Sequence, residues 1–426
     1  MRLIPPLWLR KVTLWLAIAT AGSILLGVAW SQILMGVTLV ALLLSGLPMR
    51  WPRIARPLAL FLIWTLIALA ASPDPVGGLA QVRKIYVFFV MLVVFSAVTE
   101  VRQARWLALT WMGIGTVTAG RGIFQYVRDI AAAKEAGVDF YHFYIGDRIS
   151  GFMSHWMTFS GQELFVLLLL ASFFLFAPDV RKRLWVAAPC GLIVFVALVA
   201  SDTRSIWIAA VTSGAYLLWH WRKWAVAAMP VALGVGLLFA PTAVKMRVKS
   251  IVSPEKQTDS NQHRIVCWRT GWQMIKAHPV LGLGPDEIQK EAVFYRYLPA
   301  DISKPLPEGY YKHLHNFYIQ YAAERGIPAT IFITAALLLS AWRFRKALGK
   351  LPPGRSDEKF LLHAGVAVII GTLVAGVFEY NLNDTEVLTM FLSMMCLGET
   401  CLGETAAAKT ASPASPQRGH QLPVTL

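Results

Sequence analysis

The stretch RKRLWVAAPCGLIVFVALVASDTRSIWIAAVTSGAYLLWHWRK, residues 181–223, sets two apolar runs back to back between basic flanks. Residues 184–200 and 205–220 are each long enough, as helices rising about 1.5 Å per residue, to cross most of a hydrocarbon layer about 30 Å thick. Between them Ser201-Asp202-Thr203-Arg204 leaves room only for a tight turn, so the two runs read as a hairpin through a bilayer. Arg181-Lys182-Arg183 and Arg222-Lys223 then share one side, which the positive-inside rule makes the cytoplasmic one.

Composition extends that reading to the whole chain. Of its 426 residues, 56% are hydrophobic and 15% charged, and the mean hydropathy is +0.54. That balance leaves too little polar surface to cover a water-soluble protein of this size. The formal net charge of +16 does not point to nucleic acid, because the basic residues fall in short clusters between apolar runs instead of along one polar face.

Further runs bring the expected spans to about twelve, near 12–30, 32–48, 57–72, 85–99, 105–126, 159–177, 184–200, 205–220, 224–241, 316–341, 361–378 and 386–402. The clusters Arg2/Arg10/Lys11, Arg50/Arg53/Arg56, Arg102/Arg105 and Arg343/Arg345/Lys346 fall on the same side as those flanking the hairpin. Both termini are therefore expected in the cytoplasm, with segments 73–84, 127–158, 201–204, 242–315 and 379–385 outside. The 242–315 loop is itself basic, but loops longer than about 60 residues are translocated largely regardless of charge. The expected organisation is a polytopic membrane domain over 1–405, a large external loop at 242–315 inserted between the ninth and tenth helices, and a disordered cytoplasmic tail at 406–426. Residues 14–30 lack a small-residue cleavage site and read as a retained first helix. Cys190, Cys267, Cys396 and Cys401 show no metal spacing; only Cys267 falls outside, so no internal disulfide is expected there.

Unusual residues collect at the external boundary. Arg204 opens the eighth span, where a cation opposes the helix dipole. It reads either as an arginine snorkelling to lipid phosphate or as one sharing a bound anion with the helix N-terminus, the reading preferred here. In the large loop, Asp259-Ser260 is placed to cap a helix over 261–275, ended by His278-Pro279 and Gly282-Leu283-Gly284. Ile265, Trp268, Trp272 and Ile275 form its expected apolar stripe, laid against the bundle or in the interface. Arg264 beside that stripe is either a solvated charge or a second guanidinium aimed inward, whose planar fork meets phosphate oxygens bidentately.

Tyr310-Tyr311-Lys312-His313-Leu314-His315-Asn316 precedes the tenth span, with His315, Ile319, Ala322 and Gly326 expected on one helical face. The positive end of the dipole and nearby arginines favour a neutral imidazole at His315, able to accept a proton. An interfacial histidine without chemistry is the plainer alternative, and His313 is the rival base. In the last external turn Asp384 is a helix cap or a site residue, while Glu379, at a helix end that disfavours negative charge, is expected to pair with an arginine. Lys84 with Arg83, and Arg148 with Gly151 and His155, are further candidates for the same external cavity. No acidic cluster has metal-site geometry.

In this order the elements resemble the O-antigen ligase family and its relatives among O-antigen polymerases and bacterial protein O-oligosaccharyltransferases. The topology is similar over most of the chain. Ser201-Asp202-Thr203-Arg204-Ser205-Ile206-Trp207 resembles the family's arginine after the seventh span, and Arg264 with Trp268, His278-Pro279 and Gly282-Leu283-Gly284 resembles its large-loop signature. His315-Asn316, with nine residues between it and Gly326, resembles the ligase element; the family usually carries Gly, Thr or Tyr where this chain has Ala329. The segment from Glu379 through Asn381 and Asp384 to Glu386 is similar as well.

The resemblance implies an all-α integral membrane fold of the C-type glycosyltransferase kind, with no cofactor, no nucleotide-sugar site and no metal requirement. It implies inverting transfer of a preassembled O-antigen glycan from undecaprenyl diphosphate to a sugar hydroxyl of lipid A–core, completing lipopolysaccharide at the periplasmic face of a bacterial inner membrane. Arg204 and Arg264 are expected to bind the diphosphate and His315 to take the acceptor's proton. Lys84, Arg148, His313, Asn316, Glu379 and Asp384 are the expected substrate-binding residues. The partners are then the undecaprenyl-diphosphate-linked O-antigen, lipid A–core and membrane lipids, with no nucleic acid. An O-antigen polymerase or protein O-oligosaccharyltransferase would share the donor and differ in acceptor. A lipid or glycan transporter, from a different class, predicts charged or broken helices near the midplane, whereas these charges crowd one boundary and the span centres read as nearly clean.

Overall fold

The structure, a computed structural model, describes residues 7–144, 146–177, 180–252, 260–307 and 310–411. Among the described residues the regular elements are all helical. Six helices among the described residues are long and apolar enough to cross a membrane: Val28–Ser45, Pro75–Ala97, Trp156–Phe176, Phe317–Leu348, Ser356–Ala375 and Thr385–Gly403. Shorter apolar helices occupy Ala55–Ala70, Leu184–Ala200 and Lys223–Phe239. Trp30, Ile33, Val37, Val40 and Leu44 all point outward from the first of the six. An apolar face of that extent is stable against lipid and not against water. The chain is a multi-pass membrane protein, helical in all the regular elements of its described residues.

Several boundaries differ from the sequence reading. Residues 12–30 do not form one span: a helix at Leu7–Gly22 and a 3₁₀ turn at Ser23–Leu25 are followed by a new helix from Val28. The two helices pack as a hairpin, with the Thr20 and Thr38 hydroxyls 2.8 Å apart across it. Hydropathy hides this turn because Ile24 and Leu25 within it are themselves buried. Residues 73–84 are largely helical, since Asp74 caps Pro75–Val82 by accepting the Gly77 N–H at 2.8 Å and Pro75 suits a first helical position. The Val101–Glu135 helix has 35 residues, about 52 Å at 1.5 Å per residue, and so outruns the hydrocarbon layer into the expected external segment. Helix continues to Ala411 past the expected start of the tail, and residues 412–426 lie outside the described residues.

The helix expected over 261–275 occupies Ser260–Ala277; Asp259 lies outside the described residues. Its buried side is Cys267, Thr270, Gly271, Met274 and Ile275, whereas Ile265 and Trp272 are 46% and 54% exposed. The expected stripe is thus corrected in part: Ile275 is buried and Trp268 packs against the same core, whereas Ile265 and Trp272 face out as Cys267, Thr270 and Gly271 let the helix lie close on Phe317–Leu348. Cys267 and Met274 join Leu283, Phe294, Leu314 and Ala323 in a small core that the loop forms with the Phe317–Leu348 helix.

Phe317–Leu348 is broken at Gly326 (φ 82, ψ 167), just after the buried Glu324 and Arg325, and Glu163 is buried within Trp156–Phe176. The expectation of clean, unbroken spans is corrected by these three residues. Glu324 accepts hydrogen bonds from Gln81 Nε2 (3.1 Å) and Gln320 Nε2 (2.9 Å), and Arg325 Nη2 donates to Gln81 Oε1 (2.6 Å). Burial of such charges is tolerable only when partners surround them. The segment from His278 to Gly284 closes on the break: Leu283 N donates to Ala323 O (2.8 Å), Gly284 N to Glu324 O (2.9 Å) and Ile327 N to Pro279 O (2.8 Å). The loop motif is therefore joined, backbone to backbone, to the interrupted helix.

Arg204–Trp221 packs on Ser356–Ala375 and Trp156–Phe176, while Phe317–Leu348 packs on Ser356–Ala375, Ala55–Ala70 and Ser260–Ala277. The N-terminal ends of four of these helices, and the turn after Ala375, meet at one end of the bundle.

Candidate functional site

Arg204 is the first residue of its helix, follows Asp202 in left-handed backbone conformation (φ 54), and is 7% exposed. Its Nη1 donates to the Ser250 carbonyl (3.0 Å) and hydroxyl (2.9 Å), and Nη2 to Asn261 Oδ1 (2.9 Å). One guanidinium thus joins the hairpin turn to two helices of the large loop. Arg264 Nε donates to the Phe378 carbonyl (3.2 Å), and Nη2 pairs with Glu379 Oε1 at 2.5 Å.

His315 does not share a helical face with Ile319, Ala322 and Gly326 as expected. Asn316 is the N-cap, its side chain accepting the Ile319 N–H at 2.9 Å, and His315 lies ahead of the helix at φ 47. A left-handed conformation is costly for a histidine and is sustained by its surroundings. The His315 ring touches those of His313 and His263, with centroids 3.9 and 4.7 Å away, and its Nδ1 is 3.8 Å from Glu379 Oε2.

These groups line one cavity of about 130 Å³ with Arg148, Arg247, His263, Thr203, Trp156 and Met157. Arg247 Nε is 3.3 Å from Asp202 Oδ2 and donates to the Asp202 carbonyl, as does Arg148 Nη1 (both 3.2 Å). Arg148 stands 5.1 Å from the Trp156 ring centre. Among the described residues, four guanidinium groups face the two carboxylates of Asp202 and Glu379. Arg148 Nε, Trp156 Nε1, His315 Nδ1 and Glu379 Oε2 are buried without a hydrogen-bond partner among the described residues, an arrangement that calls for a ligand or water.

The electrostatics follow from that crowding. Arg148 is lowered to about 10, by burial first and then by the charge of Arg247. Burial pushes the Asp202 carboxyl up to about 6 against the pull of Arg247, Arg148 and Arg204. Burial also pushes Glu379 up, but Arg264 and the His315 and His313 imidazoles outweigh it, and the group sits at about 2. His313 is lowered to about 3 and His263 to about 4, by burial and then by His315. Such a pocket favours an anion and disfavours further positive charge.

The other expected residues lie beside the cavity. Asn316 uses its carbonyl for the cap and its amide on the Val377 carbonyl (2.8 Å). Lys84 donates to the Asn383 carbonyl (3.1 Å), and Asp384 accepts the Thr158 hydroxyl (2.8 Å). These three therefore brace the turn at residues 379–385, and His313 supports the His315 ring from the side. Among the described residues no group of three His, Cys, Asp or Glu side chains is placed to hold a metal ion.

Arg247, Trp156 and His263 were not foreseen. Arg247 lies between Lys245 and Lys249 on the Thr242–Val252 helix, where the run resembles a solvated face, yet it is 5% exposed. The available signal was spacing: residues two apart on a helix point about 200° apart, so three alternating cations cannot all share one solvent-facing side.

No curated protein matches the chain. Residues 189–334 match the family model described as O-Antigen ligase, a stretch that carries Arg204, Arg247, Arg264 and His315. Over that stretch the chain is similar to the O-antigen ligase family, and its apolar helices fit a membrane protein of that kind.

Proposed function

We propose that the chain is an O-antigen ligase, moving a preassembled glycan from undecaprenyl diphosphate to a sugar hydroxyl of lipid A–core. In this reading it spans the bacterial inner membrane about twelve times, with both termini in the cytoplasm and the arginine cavity facing the periplasm. The observation that carries the proposal is the set of four guanidinium groups around one cavity with His315 in its wall.

The chemistry follows from charge and proton flow. The acceptor oxygen attacks the anomeric carbon from the face opposite the diphosphate; the new glycosidic bond forms as the bond to the diphosphate oxygen breaks, giving inversion. Negative charge grows on the departing oxygen, where Arg148, Arg204, Arg247 and Arg264 stabilise it through charge-assisted hydrogen bonds. The acceptor's proton passes to His315. Glu379 positions Arg264 and lies near enough to His315 to stabilise the imidazolium that results. A cavity of about 130 Å³ accommodates phosphate and not an oligosaccharide, so the sugars and prenyl chain lie outside it, reached from the bilayer boundary.

Purified protein supplied with undecaprenyl-diphosphate-linked glycan is expected to form product only when lipid A–core is added. Longer lipid-linked chains made without the core would identify a polymerase instead, and glycan attached to a polypeptide an O-oligosaccharyltransferase.

A further inference from the structure

A second charged cleft lies at the other end of the Phe317–Leu348 helix from His315. It measures about 690 Å³, and its lining includes Arg50, Arg53, Lys346 and Lys350 together with an Arg343–Glu399 pair. Arg343 grips Glu399 with both Nη atoms, Nη2 to Oε2 at 2.8 Å. That pair neutralises the single carboxylate in the lining. Among the described residues, Arg50, Arg53, Lys346 and Lys350 have no acidic side chain within ion-pair distance, so this lining presents four cations that no described carboxylate pairs.

The surroundings are those of a membrane interface. Trp51 and Trp342 at the rim are 48% and 57% exposed, as aromatic side chains at headgroup level commonly are. Lys346 Nζ stands 4.8 Å from the Trp342 ring centre, and the Arg50 guanidinium 4.6 Å from that of Phe95. The Arg50 N–H donates to Ser96 Oγ at 2.7 Å, which pins the Arg50–Arg53 turn to the end of the Pro75–Ala97 helix. A second cleft of about 520 Å³ shares Trp51 and Arg53 with the first and continues along Leu58, Leu62, Phe88 and Met91. Cationic at the helix ends and apolar along the helix flanks, the two clefts together match a molecule with an anionic head and hydrocarbon tails.

We propose that this joined cleft is a binding site for an anionic phospholipid. Its phosphate lies among Arg50, Arg53, Lys346 and Lys350, and its acyl chains lie along the Ala55–Ala70 and Phe89–Ala97 helices. A free phosphate would use only the head region and leave the apolar cleft bare; a zwitterionic lipid would bring its own cation into a cleft already rich in them. Basic pockets between membrane helices take anionic headgroups for this reason, each cation adding about 1 kcal/mol near such a surface, about fivefold in affinity. The site is independent of the transfer chemistry and is tested without it.

Delipidated full-length protein in detergent is titrated by native mass spectrometry with dioleoyl phosphatidylglycerol, with dioleoyl phosphatidylcholine, and with inorganic phosphate as competitor. Phosphatidylglycerol is expected to bind at least about tenfold more tightly than phosphatidylcholine, to raise the thermal midpoint, and to resist displacement by millimolar phosphate. The exposed double substitution Lys346→Gln/Lys350→Gln is expected to weaken phosphatidylglycerol about tenfold or more while leaving phosphatidylcholine unchanged. Arg128→Gln/Lys134→Gln, which removes two cations from the far end of the Val101–Glu135 helix, is expected to change neither. Equal binding of the two lipids, displacement by phosphate, an unaltered affinity in the first variant, or an equal loss in the second would each overturn the proposal.

Discussion

At Glu379 the side chain is 1% exposed and lies 2.5 Å from Arg264 and 3.8 Å from His315. Its pKa of about 2 keeps it ionised throughout the working range. Glu379→Gln retains the shape and removes the buried charge that Arg264 faces, so we expect a loss of about 3–5 kcal/mol in stability, measured by thermal or denaturant unfolding in detergent. An unchanged midpoint would mean that other groups suffice to hold Arg264. His315→Ala is expected to leave a folded, inserted protein whose transfer rate falls about 10²–10⁴-fold, the range for loss of a general base; a normal rate would remove the assigned role. Arg264→Lys keeps the charge but cannot reach the Phe378 carbonyl and Glu379 together, so transfer should drop at least about tenfold. Full activity there would show that the planar fork is not used.

At the scale of elements, the loop motif and the broken helix act as one joint. Gly326 has φ 82, and a Cβ on it would fall 1.8 Å from the Val280 carbonyl oxygen; a Cβ on Gly282, at φ 68, would fall 2.3 Å from the Glu324 carbonyl carbon. Both obstacles are backbone and cannot rotate aside, and both conformations disfavour a side chain. Gly326→Ala is therefore expected to abolish the monodisperse folded species in size-exclusion chromatography, even though the residue is distant from the arginines. A stable, active variant would show that the joint can open without consequence. The motif residues were legible in the sequence, but their partner was not, because the contacts run from backbone to backbone and leave no complementary side-chain pattern.

Across the whole molecule, buried imidazoles give the site a pH dependence of defined sign. His313 and His263 are lowered from 6.5 to about 3 and about 4, so between pH 6.5 and those values the unfolded chain binds protons that the folded chain excludes. Stability therefore falls as pH falls through that window, by up to about 1.4 kcal/mol per pH unit for each histidine. Asp202 and Asp384, both raised to about 6, act oppositely: their contribution is lost as pH rises from about 4 to 6. The informative measurement is a difference. Unfolding of His313→Gln followed from pH 6 to pH 4 should show a shallower decline with acidification than the parent, and identical slopes would mean that His313 takes up a proton within the fold.

Apolar runs and basic clusters by themselves determined that this chain is a multi-helical membrane protein, because the cost of leaving backbone polar groups unpaired in hydrocarbon restricts an apolar run to helix. Short motifs added Arg204, Arg264 and His315, since each is an unusual residue at a helix end. Only the tertiary structure decided that the first helix ends at Gly22 and the next begins at Val28, that Asn316 caps and leaves His315 outside the helix, and that Arg247 joins the cavity for which Arg148 was a candidate. These outcomes depend on contacts between segments far apart in the chain: Asp202 with Arg247, Glu379 with Arg264, Gly326 with Val280. Hydropathy is a property of each segment alone, whereas the meeting of charges is fixed by how the helices pack.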